Sequence, residues 1–162
     1  LEFRRVLFRS IREMFTSVVL PRMVVGPGDR ILDIGCGDGW ACRAVAALAT
    51  LGMVVGIDSS GDAIREARRL SLDFDNILYV PADAEENPWQ DNFFSHALLI
   101  DALAELRNTE AALRQLHRVL APGGQVWIVG FDEAASGAAQ ELLTRHGFAK
   151  ATCDAQVISA TK

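Results

Sequence analysis

Short apolar runs alternate along the chain with stretches in which apolar residues recur every three or four positions. A short apolar run is typical of a buried strand, whereas the longer spacing indicates one buried face of a helix. The predicted strands cover residues 31–34, 53–57, 77–80, 96–100 and 125–131. Predicted helices cover residues 11–20, 40–51 and 134–146, and two further helices contain residues 64–70 and 113–120.

Several of these elements carry recognisable end signals. Pro21 predicts the end of the first helix, because proline lacks the N–H that a continuing helix needs. Ser59 is the predicted cap of the third helix and Asn108 that of the fourth. Gly147 is predicted to close the fifth helix.

The alternation of strands and helices predicts an α/β fold with a doubly wound, mostly parallel sheet and helices on both faces. In such a fold the ligand crevice lies at the carboxyl ends of the strands. Residues 148–162 alternate enough to predict two short strands that turn near Asp154 and Ala155. The whole length of 162 residues fits one domain.

Composition and charge exclude several classes of function. Half of the residues are hydrophobic and 23% are charged, which is ordinary for a globular domain. The net charge of −5 disfavours a nucleic-acid partner, and no stretch interleaves basic with aromatic residues. No apolar run reaches membrane-spanning length, so we expect no membrane partner.

The cysteines indicate the redox compartment. Cys36, Cys42 and Cys153 are odd in number and none has CxxC spacing, which argues against a disulfide framework or a zinc site. We therefore expect no metal and a reducing, cytoplasmic location. The oligomeric state is left open.

The first ten residues, LEFRRVLFRS, contain three arginines and have no counterpart downstream. They resemble the in-frame translation of a sequencing-adapter oligonucleotide, so we expect residues 1–10 to be non-native and exclude them from fold reasoning. The alternative is a native basic arm. Residues 11–162 then form a single domain from which upstream residues have been lost.

A glycine-rich turn follows the first strand. Gly35, Gly37 and Gly39 occupy alternate positions, and the next helix starts near Trp40. Backbone can approach a ligand closely where no Cβ intervenes, and a helix N-terminus adds unpaired N–H groups and a positive dipole end. The turn predicts a site for a nucleotide-like ligand. The alternative is a glycine turn with no ligand.

Three acids lie at or near the ends of consecutive strands. Asp33 precedes the glycines, Asp58 ends the second strand and Asp83 follows the third. A carboxylate after the second strand can accept hydrogen bonds from both hydroxyls of a ribose. Each acid alone could equally be a solvated strand end, but three in succession favour a binding site.

Four motifs carry a family resemblance: DIGCGDG at residues 33–39, GID at 56–58, DA at 83–84 and RVLAPGG at 118–124. Their order and spacing resemble the class I S-adenosylmethionine-dependent methyltransferases, and especially the small-molecule branch. The resemblance runs from about Ile11 to the C-terminus. It implies a seven-stranded, Rossmann-like sheet whose last strand is antiparallel.

The resemblance also implies a role for each matching position. The glycine loop lies along the methionine part of S-adenosylmethionine, and Asp33 helps to hold its amino group. Asp58 binds the ribose hydroxyls with Ser59 beside it, while Asp83 and the backbone of Ala84 read the adenine edge. The implied cofactor-binding residues are Asp33, Gly35, Cys36, Gly37, Gly39, Asp58, Ser59, Asp83, Ala84 and Ile100.

The implied reaction is transfer of the methyl group to a small-molecule acceptor by in-line displacement. A sulfonium already activates the methyl group, so catalysis can rest on placing the nucleophile at near-attack distance. A general base helps only where the acceptor carries a proton. Asp101, at the end of the fourth strand, is the catalytic candidate. The alternative is a carboxylate that merely orients the cofactor or is solvated.

Two departures from the family pattern concern stability and the acceptor. Ser95 stands where the family commonly has an acid, which we expect to affect stability more than function. Only Asp132 and Glu133 separate the predicted fifth strand from the next helix, so no inserted segment covers the substrate there. We therefore expect a complete cofactor half and an open acceptor half.

Two other functions fit parts of the pattern. An NAD-dependent oxidoreductase also has a glycine turn and a strand-end acid, but its usual spacing is GxGxxG and it gives no role to Asp83 or to the APGG turn. A noncatalytic or truncated S-adenosylmethionine-binding domain is consistent with the absence of an inserted segment that would cover the substrate. The sequence does not name the acceptor or its attacking atom.

Overall fold

A computed structural model describes residues 11–154 and 156–162. The expectation of a non-native segment falls on residues 1–10, outside the described residues. Strands in the described part of the chain are β1 Arg30–Ile34, β2 Met53–Asp58, β3 Ile77–Pro81, β4 Phe94–Ile100, β5 Leu120–Val129, β6 Ala149–Asp154 and β7 Val157–Thr161. Its helices are α1 at residues 11–23, α2 Trp40–Ala46, α3 Gly61–Leu70, α4 Thr109–Val119 and α5 Ser136–Arg145. Single 3₁₀ turns lie at Ala84–Glu86, Leu103–Glu105 and Glu133–Ala135.

The strands form one seven-stranded sheet in the order β3-β2-β1-β4-β5-β7-β6. Strands β1 to β5 pair in parallel, and β7 pairs antiparallel with both β5 and β6. The predicted fold class, including the antiparallel last strand, is confirmed. The order reverses between β1 and β4, which leaves room for a ligand beyond the carboxyl ends of these strands.

Helices cover both faces of the sheet because side chains alternate along each strand. On one face Leu32 packs in a buried cluster with side chains of α4 and α5, including Leu113 and Leu143. On the other face Ile31 packs with side chains of α1 to α3, including Phe15 and Val45. None of the helices formed by the described residues is long and apolar enough to cross a membrane.

The first helix continues past the residue predicted to end it. Its middle, Phe15–Val19, is a π-helical segment, after which Leu20–Met23 forms a new α-helical turn. Pro21 lies in the first positions of that turn. The N–H of Leu20 donates to the carbonyl of Phe15 across the π-helical segment, and Pro21, which has no N–H to pair, is accommodated at the start of the new turn. The helix ends before Val24, which has a φ of +51°.

The second helix is shorter than predicted and ends at Ala46 rather than at residue 51. The side-chain amide of Asn76 donates to the carbonyl oxygens of Ala46 and Ala49, at 3.0 and 2.9 Å. The N–H of Leu51 donates to the carbonyl of Pro27 at 2.8 Å. These contacts from distant residues end the helix and lead the chain into β2.

The caps of α3 and α4 give one correction and one confirmation. Ser60, not Ser59, caps α3, and its hydroxyl accepts the N–H of Ala63 at 3.2 Å. Asn108 caps α4 as predicted, and its side chain accepts the N–H of Ala111 at 3.0 Å. Ser59 is left at the crevice side of the turn, where it lines a cavity.

Strand β5 begins and ends earlier than predicted. It starts at Leu120, directly after α4, because Leu120 pairs with Phe94 of β4 and the two glycines that follow pair with the C-terminal residue. The N–H of Gly123 donates to the Lys162 carbonyl and the N–H of Lys162 to the Gly124 carbonyl, both at 2.9 Å. The predicted tail of two strands is confirmed as β6 and β7.

Candidate functional site

Two adjoining cavities open at the carboxyl ends of the parallel strands. The larger, of about 430 Å³, lies beyond β2 and β3 and is walled on its far side by the segment after β4. The smaller, of about 300 Å³, lies beyond β1 and β4 and against helix α1. Gly35, Asp58 and Glu105 line both cavities, so the two meet at these residues.

The glycine loop between β1 and α2 is held against the end of β2. The N–H groups of Gly35 and Cys36 both donate to the carbonyl oxygen of Ile57, at 2.9 and 3.0 Å. Gly35 and Gly37 have φ angles of +72° and +54°, a region that residues with a Cβ rarely adopt. The loop therefore offers mainly backbone to the crevice, and Cys36 lines the smaller cavity.

Asp58 lies at the end of β2 and joins the glycine loop to the start of α3. Its Oδ2 accepts the N–H of Gly37 at 3.0 Å, and its Oδ1 accepts the N–H of Ser60 at 2.9 Å. A carboxylate oxygen has two lone pairs, so each can accept one further hydrogen bond. Both oxygens thus retain the capacity to accept from adjacent ribose hydroxyls, and Ser59 lines the same cavity.

Asp83 and Ala84 lie beyond β3, on the wall of the larger cavity. The guanidinium of Arg107 donates to Asp83 Oδ2 at 2.9 Å. The adjacent carboxylate of Glu85 accepts the N–H of Asn108 at 3.0 Å, and this hydrogen bond lowers the pKa of Glu85. The loop after β3 is therefore tied at two points to the segment before α4.

Ile100 and Asp101 line the smaller cavity at the end of β4. Asp101 has a φ of +52°, and its N–H donates to the carbonyl of Val129 at 2.8 Å. Partial burial raises the pKa of Asp101. A raised pKa brings a carboxylate nearer to the range in which it can accept a proton from a bound acceptor.

Two predicted cofactor-binding residues, Asp33 and Gly39, line neither cavity. The side chain of Asp33 alternates onto the α2 face of the sheet, where it is 2% exposed and accepts the thiol of Cys42 at 3.3 Å. Burial raises the pKa of Asp33 to about 7. Gly39 caps α2 at a φ of +82°, and a Cβ there would overlap the hydroxyl of Tyr79.

The crevice residues that sequence reasoning missed include Ile11, Arg12, Glu105 and Arg107. Arg12 lies in α1, with its guanidinium 5.0 Å from the ring centre of Trp40. The N-terminal helix therefore forms part of the wall of the smaller cavity. Glu105 and Arg107 belong to no motif, although their position after β4 was a usable signal because parallel sheets bind ligands beyond strand ends.

The charges at the smaller cavity suit a cationic ligand. Its lining contains the acidic residues Asp38, Asp58, Asp101 and Glu105 and one basic residue, Arg12. The guanidinium of Arg12 lies 3.5 Å from the Asp38 carboxylate, which partly neutralises both. A sulfonium and an ammonium group fit such a lining better than an anion does. Together with the acceptors at Asp58 and Asp83, this arrangement fits S-adenosylmethionine.

Comparison with known proteins names the family. A family model described as a methyltransferase domain matches residues 32–128, which include the glycine loop and the ends of β2, β3 and β4. The chain belongs to this family. It is a class I S-adenosylmethionine-dependent methyltransferase domain, and S-adenosylmethionine is its cofactor. The family assignment decides against an NAD-dependent oxidoreductase.

A curated relative of the methyltransferase domain is the ubiquinone/menaquinone biosynthesis C-methyltransferase of Coxiella burnetii. The two are 37% identical over 110 residues, which cover 65% of this chain and 44% of the relative. The chain spans less than half the length of the curated relatives it matches.

Two solved structures share the fold. An S-adenosylmethionine-dependent methyltransferase of Aquifex aeolicus has a TM-score of 0.81 and 17% identity, with 92% of each chain covered. The [4+2]-cyclase SpnF has a TM-score of 0.73 and 28% identity, with 84% of this chain and 57% of SpnF covered. The fold therefore also occurs in a protein that is named for a different reaction.

Proposed function

We propose that this methyltransferase domain transfers the methyl group of S-adenosylmethionine to a small-molecule acceptor of the quinone type. The observation that carries the proposal is the placing of Asp58, the glycine loop and Asp83 around one crevice at the carboxyl ends of β1 to β3. The relative named as a ubiquinone/menaquinone biosynthesis C-methyltransferase supports the acceptor class.

The bound sulfonium supplies an electrophilic methyl group that needs no further activation by the protein. Asp58 holds the ribose, and the Asp83 carboxylate and Ala84 backbone hold the adenine. The carboxylates around the smaller cavity favour the positive charge of the cofactor's reactive end over an uncharged product. Ile100 and Asp101 border the place where an acceptor approaches in line, so much of the catalytic effect comes from orientation.

Asp101 is the residue proposed to accept a proton. A hydroxylated aromatic ring becomes a better carbon nucleophile as its hydroxyl loses a proton, and a carboxylate with a raised pKa is a suitable acceptor. Asp101 and Trp40 line the same smaller cavity, so an aromatic acceptor bound there would lie beside both the carboxylate and the indole.

The cofactor assignment is tested by calorimetry with S-adenosylmethionine, S-adenosylhomocysteine and NAD. Asp58→Asn keeps the size of the side chain but removes its charge, and we expect it to weaken binding of both sulfur compounds by about tenfold or more. Asp73→Asn is the matched control, since Asp73 is exposed and lines neither cavity. Binding of NAD alone, or equal affinities for all three proteins, would contradict the proposal.

A second candidate is an S-adenosylmethionine-binding domain that does not transfer the methyl group. This candidate is supported by the structural similarity to SpnF, which is named for a cyclisation and not for methyl transfer. The two candidates differ in one measurement. Only a methyltransferase converts S-adenosylmethionine to S-adenosylhomocysteine faster when a reduced quinone is added.

A further inference from the structure

The segment that leads from β4 into α4 is fastened across the larger cavity by Arg107. Its Nη2 donates to Asp83 Oδ2 at 2.9 Å, although the two residues are 24 positions apart. Arg107 and Asp83 both line the cavity, together with Leu106 on the Arg107 side. The ion pair therefore lies at the edge of the space that the adenine is proposed to fill.

A second hydrogen bond fixes the same two segments to each other. Glu85 Oε1 accepts the backbone N–H of Asn108 at 3.0 Å. Asn108 is also the cap of α4, so its backbone is held in place from both sides. Arg107, the residue before it, consequently starts from an ordered backbone position, even though its side chain is long.

Folding stability does not account for the Arg107–Asp83 pair. The side chain of Arg107 is 79% exposed and that of Asp83 is 37% exposed. An ion pair in such surroundings contributes little to folding, because water and salt screen it and two side chains must be ordered. Its effect is instead on Asp83, whose carboxylate is held in one orientation at the cavity wall.

The orientation of Asp83 matters because its carboxylate can only accept hydrogen bonds. The exocyclic amine of adenine donates, whereas the oxygen that replaces this amine in hypoxanthine accepts. A fixed acceptor pairs with the amine and leaves the oxygen unpaired, and a binding site rejects a ligand that leaves its polar group unpaired. A free Asp83 side chain could turn to solvent and avoid this penalty.

On this geometry, and resting on the proposed function, we propose that Arg107 sets the base specificity of the cofactor site. Arg107 is a positioning residue that acts through Asp83. It donates to one carboxylate oxygen and keeps the carboxylate directed at the exocyclic amine of the adenine. The guanidinium suits this task because its N–H groups have fixed directions, unlike the rotating donors of an ammonium group.

The test compares S-adenosylhomocysteine with S-inosylhomocysteine, which differ at C6, where an oxygen replaces the amine, and at the adjacent ring N1, which gains a hydrogen. The N1 difference is common to the wild type and its variants, so a change in relative affinity on substituting Arg107 reports on Asp83. The wild-type domain is expected to bind the adenosyl compound at least about tenfold more tightly, since only its amine can donate to the fixed carboxylate. Arg107→Met removes the charge and the donors but keeps the length of the side chain. It is expected to weaken binding of the adenosyl compound about fivefold and to leave the affinity for the inosyl compound within about twofold of the wild-type value. The ratio of the adenosyl affinity to the inosyl affinity is therefore expected to fall.

Two further variants separate positioning from other effects. Arg107→Lys keeps the charge without the fixed directions and is expected to restore only part of the ratio. Arg65→Met is the matched control, because Arg65 is an exposed arginine that pairs with Asp62 and lines neither cavity. Its ratio is expected to equal that of the wild type. The thermal midpoint of all three variants is expected to stay within about 2 °C of the wild type.

The other outcomes are distinct. An unchanged ratio of the two affinities in Arg107→Met overturns the specificity role. If the ratio is unchanged because both compounds bind more weakly by the same factor, Arg107 contacts any base directly instead of acting through Asp83. A wild-type domain that binds the adenosyl and inosyl compounds equally also overturns the specificity role. A folded wild-type domain that binds no adenosyl compound overturns the proposed function itself.

Discussion

At the scale of single residues, the aspartates Asp58 and Asp33 lie on adjacent strands but in different environments. Asp58 sits at the crevice and accepts two backbone N–H groups. Asp33 lies within β1 and faces helix α2, where it accepts a hydrogen bond from the Cys42 thiol and burial raises its pKa to about 7. A strand alternates its faces, so an acid one position before a strand end can point into the packing against a helix instead of into the crevice beyond the strand end. The direct role in cofactor binding implied for Asp33 thus stays a prediction, whereas its burial has a measurable consequence.

Asp33 is expected to make the stability of the domain depend on pH. The pKa of Asp33 is about 7 in the folded protein, against an ordinary value of 3.8. Between these values the folded protein keeps a proton that the unfolded chain releases, so the free energy of unfolding falls as the pH rises through this range and levels off above it. Asp33→Asn removes this dependence.

Urea unfolding of wild type and Asp33→Asn gives the test. The difference in unfolding free energy is expected to shift by about 2 kcal/mol in favour of the variant between about pH 5 and about pH 8. Other titrating groups are common to both proteins and cancel. A parallel pH dependence of the two proteins would show that Asp33 titrates normally.

At the scale of a single element, the start of α3 gives different roles to two adjacent serines. Ser59 and Ser60 are adjacent and both can cap a helix, but only Ser60 accepts an N–H from the first turn of α3. Asp58 holds the N–H of Ser60 and thereby fixes which serine takes the cap position. Ser59 remains at the cavity.

Replacing each serine by alanine separates the two roles. Ser60→Ala is expected to lower the free energy of unfolding by about 1 kcal/mol, because an N–H of the first turn loses its acceptor. Ser59→Ala is expected to stay within about 0.5 kcal/mol of the wild type. Chemical denaturation measures both free energies of unfolding. A larger loss of stability in Ser59→Ala than in Ser60→Ala would show that Ser59 is the cap.

The whole molecule is organised around the middle of the sheet. Strands β1 and β4 each have two neighbours, and the crevice opens where they meet. Strands β3 and β6 lie at the edges, and residues of β6 alternate between exposed and half-buried positions. Central strands open only with the whole domain, whereas edge strands can open locally.

Hydrogen exchange is expected to follow this order. Amides of β1 and β4 should exchange most slowly, and those of β6 at least about tenfold faster, because local opening costs less free energy than global unfolding. Exchange measured by mass spectrometry on the same protein gives the comparison. Equal protection of β6 and β1 would mean that the antiparallel pair unfolds together with the centre.

The sequence by itself determined the succession of strands and helices, the glycine loop and the acids at the strand ends. These follow from local rules: side-chain period, the conformations open to glycine and the behaviour of Asn108 as a cap. Nine of the eleven predicted site positions border the crevice in the structure.

Only the tertiary structure decided which side chains meet. It brought Arg107 to Asp83, placed α1 against the smaller cavity, turned Asp33 toward Cys42 and ended α2 early through Asn76. Each of these contacts joins residues of different elements or of different loops. A local pattern carries no information about such contacts, because they depend on how whole elements pack against one another.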